Sequence, residues 1–331
     1  SFVKVWNYNS ETGAYSYDTN FGDENGESPF SVSLSNDRIY SVNWSSLGEK
    51  LAVCGFYGGG TFVKVWNYTE GSSSTNLTGQ HSQKVINSEW LGTGASITVD
   101  ADGKAKLWDS SAGTLTGSLN GDTVPYVSAI CVDPTNTYIG QGTANGRVAI
   151  WNSSAALQTS FKAHTDWINS VSWASGTLSS TDDALLVGGQ DDIATVWDVS
   201  DVTEPIFTTT LSGHKEAVTN VYWDYRGYPV TVSDDLSCKV WYPASSSYCL
   251  KTMRGHTDVI TASAMSTNAQ KLATGADDKT VRIWSVLTGK SLIKIQGFTD
   301  KIDSIDWNND DSEIVVETAD GIVTVWNSST G

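Results

Sequence analysis

Tryptophan recurs along this chain at nearly constant intervals, and this feature constrains the fold more than any other. The chain has 331 residues and 14 tryptophans. From Trp66 onward, the tryptophans that end a short alternating run are 42, 43, 46, 44, 43 and 42 residues apart. A fixed period of this length is typical of repeat architectures. The runs end at Trp6, Trp66, Trp108, Trp151, Trp197, Trp241, Trp284 and Trp326.

Each repeat contains four short segments with strand character. In the repeat that ends near residue 295 they are VITASAM, KLATGA, TVRIWSV and SLIKI, and the segments STNAQ, DDK and LTGK separate them. Alternating apolar and polar residues between turn-forming residues are the signature of β-strands. A four-stranded sheet of this size cannot bury both of its faces alone, so neighbouring repeats must pack on one another. The sequence therefore predicts an all-β protein.

A second series of tryptophans ends another strand of the same repeat. One tryptophan, Trp167 in the segment HTDWI, fits neither series. It lies directly before a predicted first strand, where an exposed indole could contact a partner or could pack over the rim of a central channel. The second series consists of Trp44, Trp90, Trp173, Trp223 and Trp307.

Two repeats carry a fuller motif. SGH ends at His214, Asp234 and Asp235 follow it, and CKVWY contains Trp241. The next repeat has RGH at His256, then two aspartates, then TVRIWS. These motifs resemble the WD40 repeat family, and the resemblance covers practically the whole chain. It implies a seven-bladed WD40-type β-propeller.

The spacing of four residue types predicts a hydrogen-bonded chain within a repeat. Threonine ten residues before the tryptophan, aspartate six residues before it and histidine at the preceding turn would link the turns to the indole N–H, so that each buried polar group has a partner. The Trp197 repeat has Val187 at the threonine position, and we expect this repeat to be less stable than the others. Complete sets are His81, Thr98, Asp102 and Trp108; His214, Thr231, Asp235 and Trp241; and His256, Thr274, Asp278 and Trp284.

The order of the strands predicts that residues 1–331 form a single domain whose last blade is composite. The chain ends after a third strand at Trp326, and PFSVSL (Pro29–Leu34) has the character of the missing fourth strand. Pairing between the two ends would remove exposed sheet edges. Residues 1–37 and 299–331 would then form the closing blade together.

Two segments compete for the third position of that blade. They are the runs at 2–6 and 322–326, and an acidic loop excursion over residues 7–28 is attached to the former. One run could lie outside the ring, or the chain could be part of a longer tandem-propeller protein. The sequence does not decide between these alternatives.

Composition excludes several kinds of partner. Lysine and arginine number 20 and aspartate and glutamate 37, so the formal net charge is 20 − 37 = −17. A strongly acidic chain is repelled by nucleic acid and by anionic membranes, and it attracts basic segments of other proteins. No apolar run approaches the ~18 residues that a membrane-spanning helix needs. We therefore expect no direct nucleic-acid partner and no membrane span.

The residues that usually carry chemistry are taken up by the repeat. All four histidines stand at the structural turn position, which leaves none as a general base or a metal ligand. GFYGGGT at residues 55–61 lacks the Gly-Lys-Ser/Thr ending of a phosphate-binding loop. The sequence thus predicts no catalytic residue, no metal site and no cofactor, and a protein that is not an enzyme. The alternative is a secreted or enzymatic propeller that binds a small ligand or a cation at an acidic channel rim.

The loops before the first strands and between the second and third strands give the candidate partner-binding residues. Propellers that resemble this one usually bind proteins or peptides across this face, and aromatic side chains dominate binding hot spots. Asp100, Gln190, Asp234 and Asp277 would make the same face acidic and suited to a basic peptide. The candidates are Trp167, Phe56, Tyr57, Arg38, Lys84, Tyr126 and Lys301.

The function that this resemblance implies is a non-enzymatic scaffold for protein–protein interaction. Such a protein would be a subunit of a larger complex and would bind partner proteins on its propeller faces. An intracellular, cytoplasmic location is expected, with nuclear, ciliary and secreted locations as alternatives. No stretch of the sequence selects a particular complex.

Overall fold

A computed structural model describes residues 6–9, 14–17, 38–45, 49–57, 60–67, 73–77, 81–120, 126–174, 183–243 and 248–331. Every regular element within these ranges is a β-strand. The same ranges hold no helix with the length and apolar character that crossing a membrane requires. The chain divides into two compact units, residues 1–127 with 151–157, and residues 128–150 with 158–331. The expectation of a single domain stays a prediction.

The first three sheets lie in the first unit. They are a two-stranded antiparallel hairpin and two four-stranded antiparallel sheets whose strands pair in chain order. The hairpin is β1 (Trp6–Asn9) and β2 (Ala14–Tyr17). The sheets are β3 (Arg38–Trp44), β4 (Lys50–Tyr57), β5 (Gly60–Asn67) and β6 (Ser73–Asn76), and β7 (Val85–Leu91), β8 (Ala95–Asp100), β9 (Ala105–Asp109) and β10 (Thr114–Ser118).

Five further sheets follow along the chain, and the last four of them lie wholly in the second unit. Four of the five have four strands, and the last has three within the described residues. The strands are β11 (Val127–Val132), β12 (Tyr138–Thr143), β13 (Arg147–Asn152) and β14 (Leu157–Lys162); β15 (Ile168–Trp173), β16 (Ala184–Gly189), β17 (Ile193–Asp198) and β18 (Ile206–Ser212); β19 (Val218–Trp223), β20 (Pro229–Ser233), β21 (Ser237–Tyr242) and β22 (Tyr248–Arg254); β23 (Ile260–Met265), β24 (Lys271–Ala276), β25 (Val281–Ser285) and β26 (Ser291–Ile295); and β27 (Ile302–Trp307), β28 (Glu313–Thr318) and β29 (Val323–Asn327).

The core lies between neighbouring sheets. Val281 and Ile283 of β25 are fully buried and cluster with Ile305 of β27 and Val316 of β28. Burying such side chains contributes about 1.5–3 kcal/mol each. This packing explains why one repeat cannot stand alone. The seven larger sheets are the blades of a β-propeller, which confirms the predicted all-β, seven-bladed fold class.

The structure also decides which run takes the third position of the last sheet. Strand β29 pairs with β28 there. Strand β1 pairs instead with β2, which lies within the predicted loop excursion over residues 7–28. The segment Pro29–Leu34 lies outside the described residues, so the composite closing blade stays a prediction.

Candidate functional site

The histidines form buried hydrogen-bonded chains, as their spacing predicts. Nδ1 of His214 lies 3.0 Å from Oδ2 of Asp235, and its Nε2 lies 2.7 Å from Oγ1 of Thr231. The indole N–H of Trp241 donates to the same threonine oxygen over 2.9 Å. Because a carboxylate only accepts, Nδ1 carries the proton and Nε2 accepts the threonine O–H. Each polar group of the chain is thereby satisfied.

The next sheet repeats this geometry. Nδ1 of His256 lies 3.0 Å from Oδ2 of Asp278, and its Nε2 lies 2.8 Å from Oγ1 of Thr274. Trp284 donates its indole N–H to this threonine over 2.8 Å. Burial lowers the pKa of His256, and the neighbouring carboxylate of Asp278 offsets only part of this effect. The histidine is therefore neutral near pH 7 and serves as a structural link.

The first of the predicted chains uses a different aspartate. Nδ1 of His81 lies 2.8 Å from Oδ2 of Asp100, whereas the predicted partner Asp102 is exposed. The prediction of Asp102 is wrong because Asp100, the last residue of β8, caps the turn. Its Oδ1 accepts the amide N–H groups of Asp102 and Lys104, which fixes the other oxygen toward the histidine. Asp100 is fully buried and so does not contribute to the predicted acidic rim.

The Trp197 repeat keeps its hydroxyl group, although the sequence predicts its loss. Thr195 lies directly opposite Val187 in the β16–β17 ladder, and its Oγ1 accepts the indole N–H of Trp197 over 2.9 Å. The same oxygen lies 3.1 Å from Nε2 of His164. The hydroxyl group is therefore on the third strand of this sheet, at the residue paired with Val187, and not on the second strand. The prediction that this repeat lacks a hydroxyl partner, and is less stable for that reason, is therefore wrong.

The last sheet shows the same exchange. Thr324 lies opposite Val316, and Trp326 donates its indole N–H to Thr324 over 2.7 Å. No histidine is present in this repeat, and Phe298 packs on Trp326 with ring centroids 5.3 Å apart. Two repeats thus use threonine on the third strand where three others use it on the second.

The predicted partner-binding loops are paired by a repeated backbone hydrogen bond. The amide of Gln190 donates to the carbonyl of Trp167 over 2.8 Å, and the amide of Asp277 donates to the carbonyl of Val259 over 2.9 Å. Equivalent bonds join Asp234 to Ala217, Ala319 to Lys301, and Ala101 to Lys84. We call residues 167, 190, 217, 234, 259, 277, 301 and 319 of the second unit the loop face.

Trp167 is the exposed aromatic side chain of the loop face. Its side chain is 48% exposed, although its backbone is fixed by Gln190 and by Asp166, whose carboxylate accepts the Trp167 amide. Val259 on the same face is 37% exposed. An indole held at the surface by a rigid loop presents a large contact area at little cost in conformational entropy.

Two carboxylates give the loop face its acidic character. Burial raises the pKa of Asp234, and the nearby charge of Glu216 raises it further. Oδ1 of Asp277 is buried and has no hydrogen-bond partner in the described part of the chain. A cationic group of a partner would favour the ionised form of Asp234, because an opposite charge stabilises an ionised carboxylate.

The other candidate residues have varied positions. Lys301 and Lys84 are exposed. Tyr126 is half-buried in the first unit, where its hydroxyl donates to the carbonyl of Ala101 over 3.2 Å and its ring packs against Gly103. The side chains of the remaining three candidates, Arg38, Phe56 and Tyr57, lie outside the described residues.

The described residues contain no group of three or more histidine, cysteine, aspartate or glutamate side chains placed to hold a metal ion.

Sequence reasoning also missed an aromatic cluster. It forms from Tyr225, Arg226 and Tyr228 after β19 and from Tyr242 and Tyr248 of β21 and β22, which come together only in the folded sheet β19–β22.

The family model described as "WD domain, G-beta repeat" matches residues 155–198, 205–242 and 247–285. These ranges correspond to the repeats that end at Trp197, Trp241 and Trp284. Those three repeats match the WD40 repeat model, in a chain whose fold class is the seven-bladed β-propeller.

Among curated proteins, the chain is similar to the protein transport protein SEC13-2 of Candida glabrata, with 28% identity over 282 residues, 74% of this chain and 92% of that protein. It is 27% identical to a ribosome biogenesis protein WDR12 homolog of Trichoplax adhaerens over 201 residues, 51% of this chain and 44% of that protein. It is 24% identical to the guanine nucleotide-binding protein subunit beta of Zea mays over 212 residues, 60% of this chain and 54% of that protein. The chain thus spans about half the length of the last two.

Proposed function

We propose that the chain is a non-enzymatic interaction scaffold that binds a basic segment of a partner protein on the loop face, with Trp167 as the anchor. The exposure of this indole carries the proposal, because the repeat does not require a tryptophan at this position. Tryptophan is enriched among the few residues that dominate binding energy. A scaffold role agrees with the names of relatives in protein transport, in ribosome biogenesis and as a guanine nucleotide-binding protein subunit.

Charge supports a basic partner. The chain carries a formal charge of −17, and Asp234 and Asp277 hold carboxylates on the loop face. An acidic surface steers a cationic segment toward its site and accelerates association. The affinity of the complex would therefore fall as the salt concentration rises.

A non-enzymatic role is supported by the state of the histidines. His81, His164, His214 and His256 each contact an aspartate through Nδ1, at 2.7–3.0 Å. Their Nε2 atoms contact threonine hydroxyls. These imidazoles are buried, and each threonine oxygen at Nε2 also accepts an indole N–H, so the histidines serve as structural links. A cytoplasmic location stays a prediction.

The experiment is affinity purification of the tagged chain from native extract, with mass spectrometry of the retained proteins and reconstitution of the main partner. We expect Trp167→Ala to weaken that partner's binding about tenfold, which corresponds to about 1.4 kcal/mol. The matched control is Leu157→Ala, because Leu157 is 40% exposed and lies outside the loop face. Equal retention by wild type and Trp167→Ala would refute the anchor. Added hexose mass at the Asn-x-Ser/Thr triplets of the native protein, which begin at Asn43, Asn67, Asn76, Asn152 and Asn327, would favour the secreted alternative.

A further inference from the structure

A cluster of tyrosines lies at the end of sheet β19–β22 that is opposite the loop face. Residues 217 and 234 of the loop face adjoin the start of β19 and the end of β20, whereas the cluster adjoins the end of β19 and the start of β20. Tyr242 and Tyr248, which pair with each other at the ends of β21 and β22, complete it. We call the following residues the tyrosine cluster: Tyr225, Arg226, Tyr228, Tyr242 and Tyr248.

Three of these rings form a continuous surface. The centroids of Tyr228 and Tyr242 are 5.5 Å apart with the ring planes at 81°, and those of Tyr242 and Tyr248 are 5.5 Å apart at 31°. Tyr242 is 38% exposed and Tyr248 is 55% exposed. Within the described residues, no tyrosine hydroxyl of the cluster makes a hydrogen bond. The surface therefore offers flat apolar rings together with tyrosine O–H groups that can donate.

The cluster is rigid before any partner arrives. Oδ1 of Asp224 accepts the amides of Arg226 and Tyr228 over 2.8 and 3.0 Å, and its Oδ2 accepts Nε of Arg226 over 2.9 Å. The guanidinium carbon then lies 4.6 Å from the centroid of Tyr228 and 5.4 Å from that of Tyr225. A preformed surface loses little conformational entropy on binding.

The neighbouring sheet β23–β26 forms the other side of this surface. The amide of Tyr225 donates to the carbonyl of Ala269 in that sheet's first connection, over 3.1 Å. Lys251 of β22 packs against Gly289, where a Cβ atom would meet the lysine Cβ at 3.0 Å. Leu287, in the turn between β25 and β26 that also contains Gly289, is 51% exposed. Lys251 is exposed and follows Tyr248 by three residues on β22.

We propose that the tyrosine cluster binds an extended, proline-rich segment of another protein that carries an acidic residue. Proline-rich segments in the polyproline II conformation dock in aromatic-lined grooves, where rings stack on pyrrolidines and donors meet the free peptide carbonyls. The tyrosine hydroxyls can donate to those carbonyls, and the exposed ammonium group of Lys251 can pair with a carboxylate. A methylated lysine fits less well, because the guanidinium of Arg226 already occupies the cation position between Tyr225 and Tyr228.

The test uses the full chain and a fluorescein-labelled peptide of eight prolines followed by two glutamates, titrated by fluorescence anisotropy. We expect saturable binding that Tyr248→Ala weakens about tenfold, because this ring is the most exposed of the cluster. Tyr248→Phe should weaken binding about threefold, since it removes the donor and keeps the ring. A peptide that ends in two lysines should bind more weakly than the glutamate peptide.

The control variant is Phe207→Ala, which removes a ring that is 50% exposed in another sheet. It should leave peptide binding unchanged, as should Trp167→Ala, so the failure of this proposal and the failure of the proposed function are distinguishable. No saturable binding, or equal binding by wild type and Tyr248→Ala, overturns the proposal. Dimerisation of the chain that Tyr248→Ala abolishes would also overturn it, because the occupant would then be a second copy.

Discussion

The indole N–H of Trp307 donates a hydrogen bond over 3.0 Å to the backbone carbonyl of Ala264, which belongs to the preceding sheet. Trp223 donates in the same way to Ser172 of the sheet before it, over 3.1 Å, and Trp90 makes the equivalent bond over 2.8 Å. These three tryptophans, at the ends of first strands, therefore connect neighbouring sheets. Five tryptophans of third strands instead bind threonine within their own sheet: Trp108, Trp197, Trp241, Trp284 and Trp326. The two tryptophan series of the sequence have two structural roles.

Replacing Trp307 by phenylalanine tests the connection between sheets. The change keeps an aromatic ring at a site that is 8% exposed, and it removes the only donor of the indole. We expect the free energy of unfolding to fall by about 1–3 kcal/mol, because a partly buried carbonyl loses its partner. Urea unfolding followed by far-UV circular dichroism measures this. Trp167→Phe, at the exposed indole, is the control, and an equal effect of both changes would contradict the assigned role.

The position of threonine at residue 195, opposite Val187 in the neighbouring strand, leads to a second prediction. Thr195→Val should destabilise the chain by about 1–3 kcal/mol, since it leaves Trp197 and His164 without a hydroxyl partner. The double change Val187→Thr with Thr195→Val restores the arrangement of the Trp241 repeat and should recover most of that loss. Urea unfolding of both variants measures the difference. If the double variant is no more stable than the single one, a hydroxyl on the second strand cannot replace one on the third.

The strands of the propeller were predictable from the sequence because period and alternation act locally. The predicted segments VITASAM and KLATGA correspond to β23 (Ile260–Met265) and β24 (Lys271–Ala276). Burial then follows from the alternation, since Leu272 and Ile283 lie fully inside. Packing between neighbours is required by the size of each sheet.

The details of the site were less predictable because they depend on contacts across the fold. Spacing from the tryptophan selects Asp102, but the conformation of the turn brings Asp100 to His81 instead. Spacing along the sequence also cannot show that the hydroxyl partner lies on the third strand instead of the second, as Thr195 does. The tyrosine cluster joins two segments that only strand pairing brings together, so neither segment shows it alone.

Acidification should weaken the buried histidine chains. Burial lowers the pKa of His81, His214 and His256 in the folded state, and adjacent aspartates only partly offset this. The unfolded state then binds more protons below the ordinary histidine pKa of about 6.5. Stability is therefore fully present above that pH and is lost as the pH falls toward the folded pKa values. The low pKa values of Asp235 and Asp278 act in the same direction at lower pH.

Thermal unfolding between pH 7.5 and 5 measures this dependence. The midpoint of the wild type should fall on acidification. His256→Gln should have a lower midpoint at pH 7.5 but a shallower decline, because one titrating group is gone. A wild-type midpoint that rises as the pH falls through 6 would contradict the neutral state of these histidines.

The carboxylate of Asp311 should hold the neighbouring sheet's turn in place. It accepts the amides of Thr267 and Asn268 over 2.6 and 3.0 Å, from a residue whose φ is 60°. Asp311→Gly removes the carboxylate without straining this left-handed conformation, so it isolates the hydrogen bonds. We expect a loss of about 1–3 kcal/mol and faster hydrogen exchange at the amides of Thr267 and Asn268. Asp310→Ala, at an adjacent exposed carboxylate that accepts the amide and hydroxyl of Ser312, should leave the exchange of the Thr267 and Asn268 amides unchanged. Unaltered exchange at both amides in Asp311→Gly would show that the turn is held by the rest of its sheet, because the freed N–H groups would still be protected.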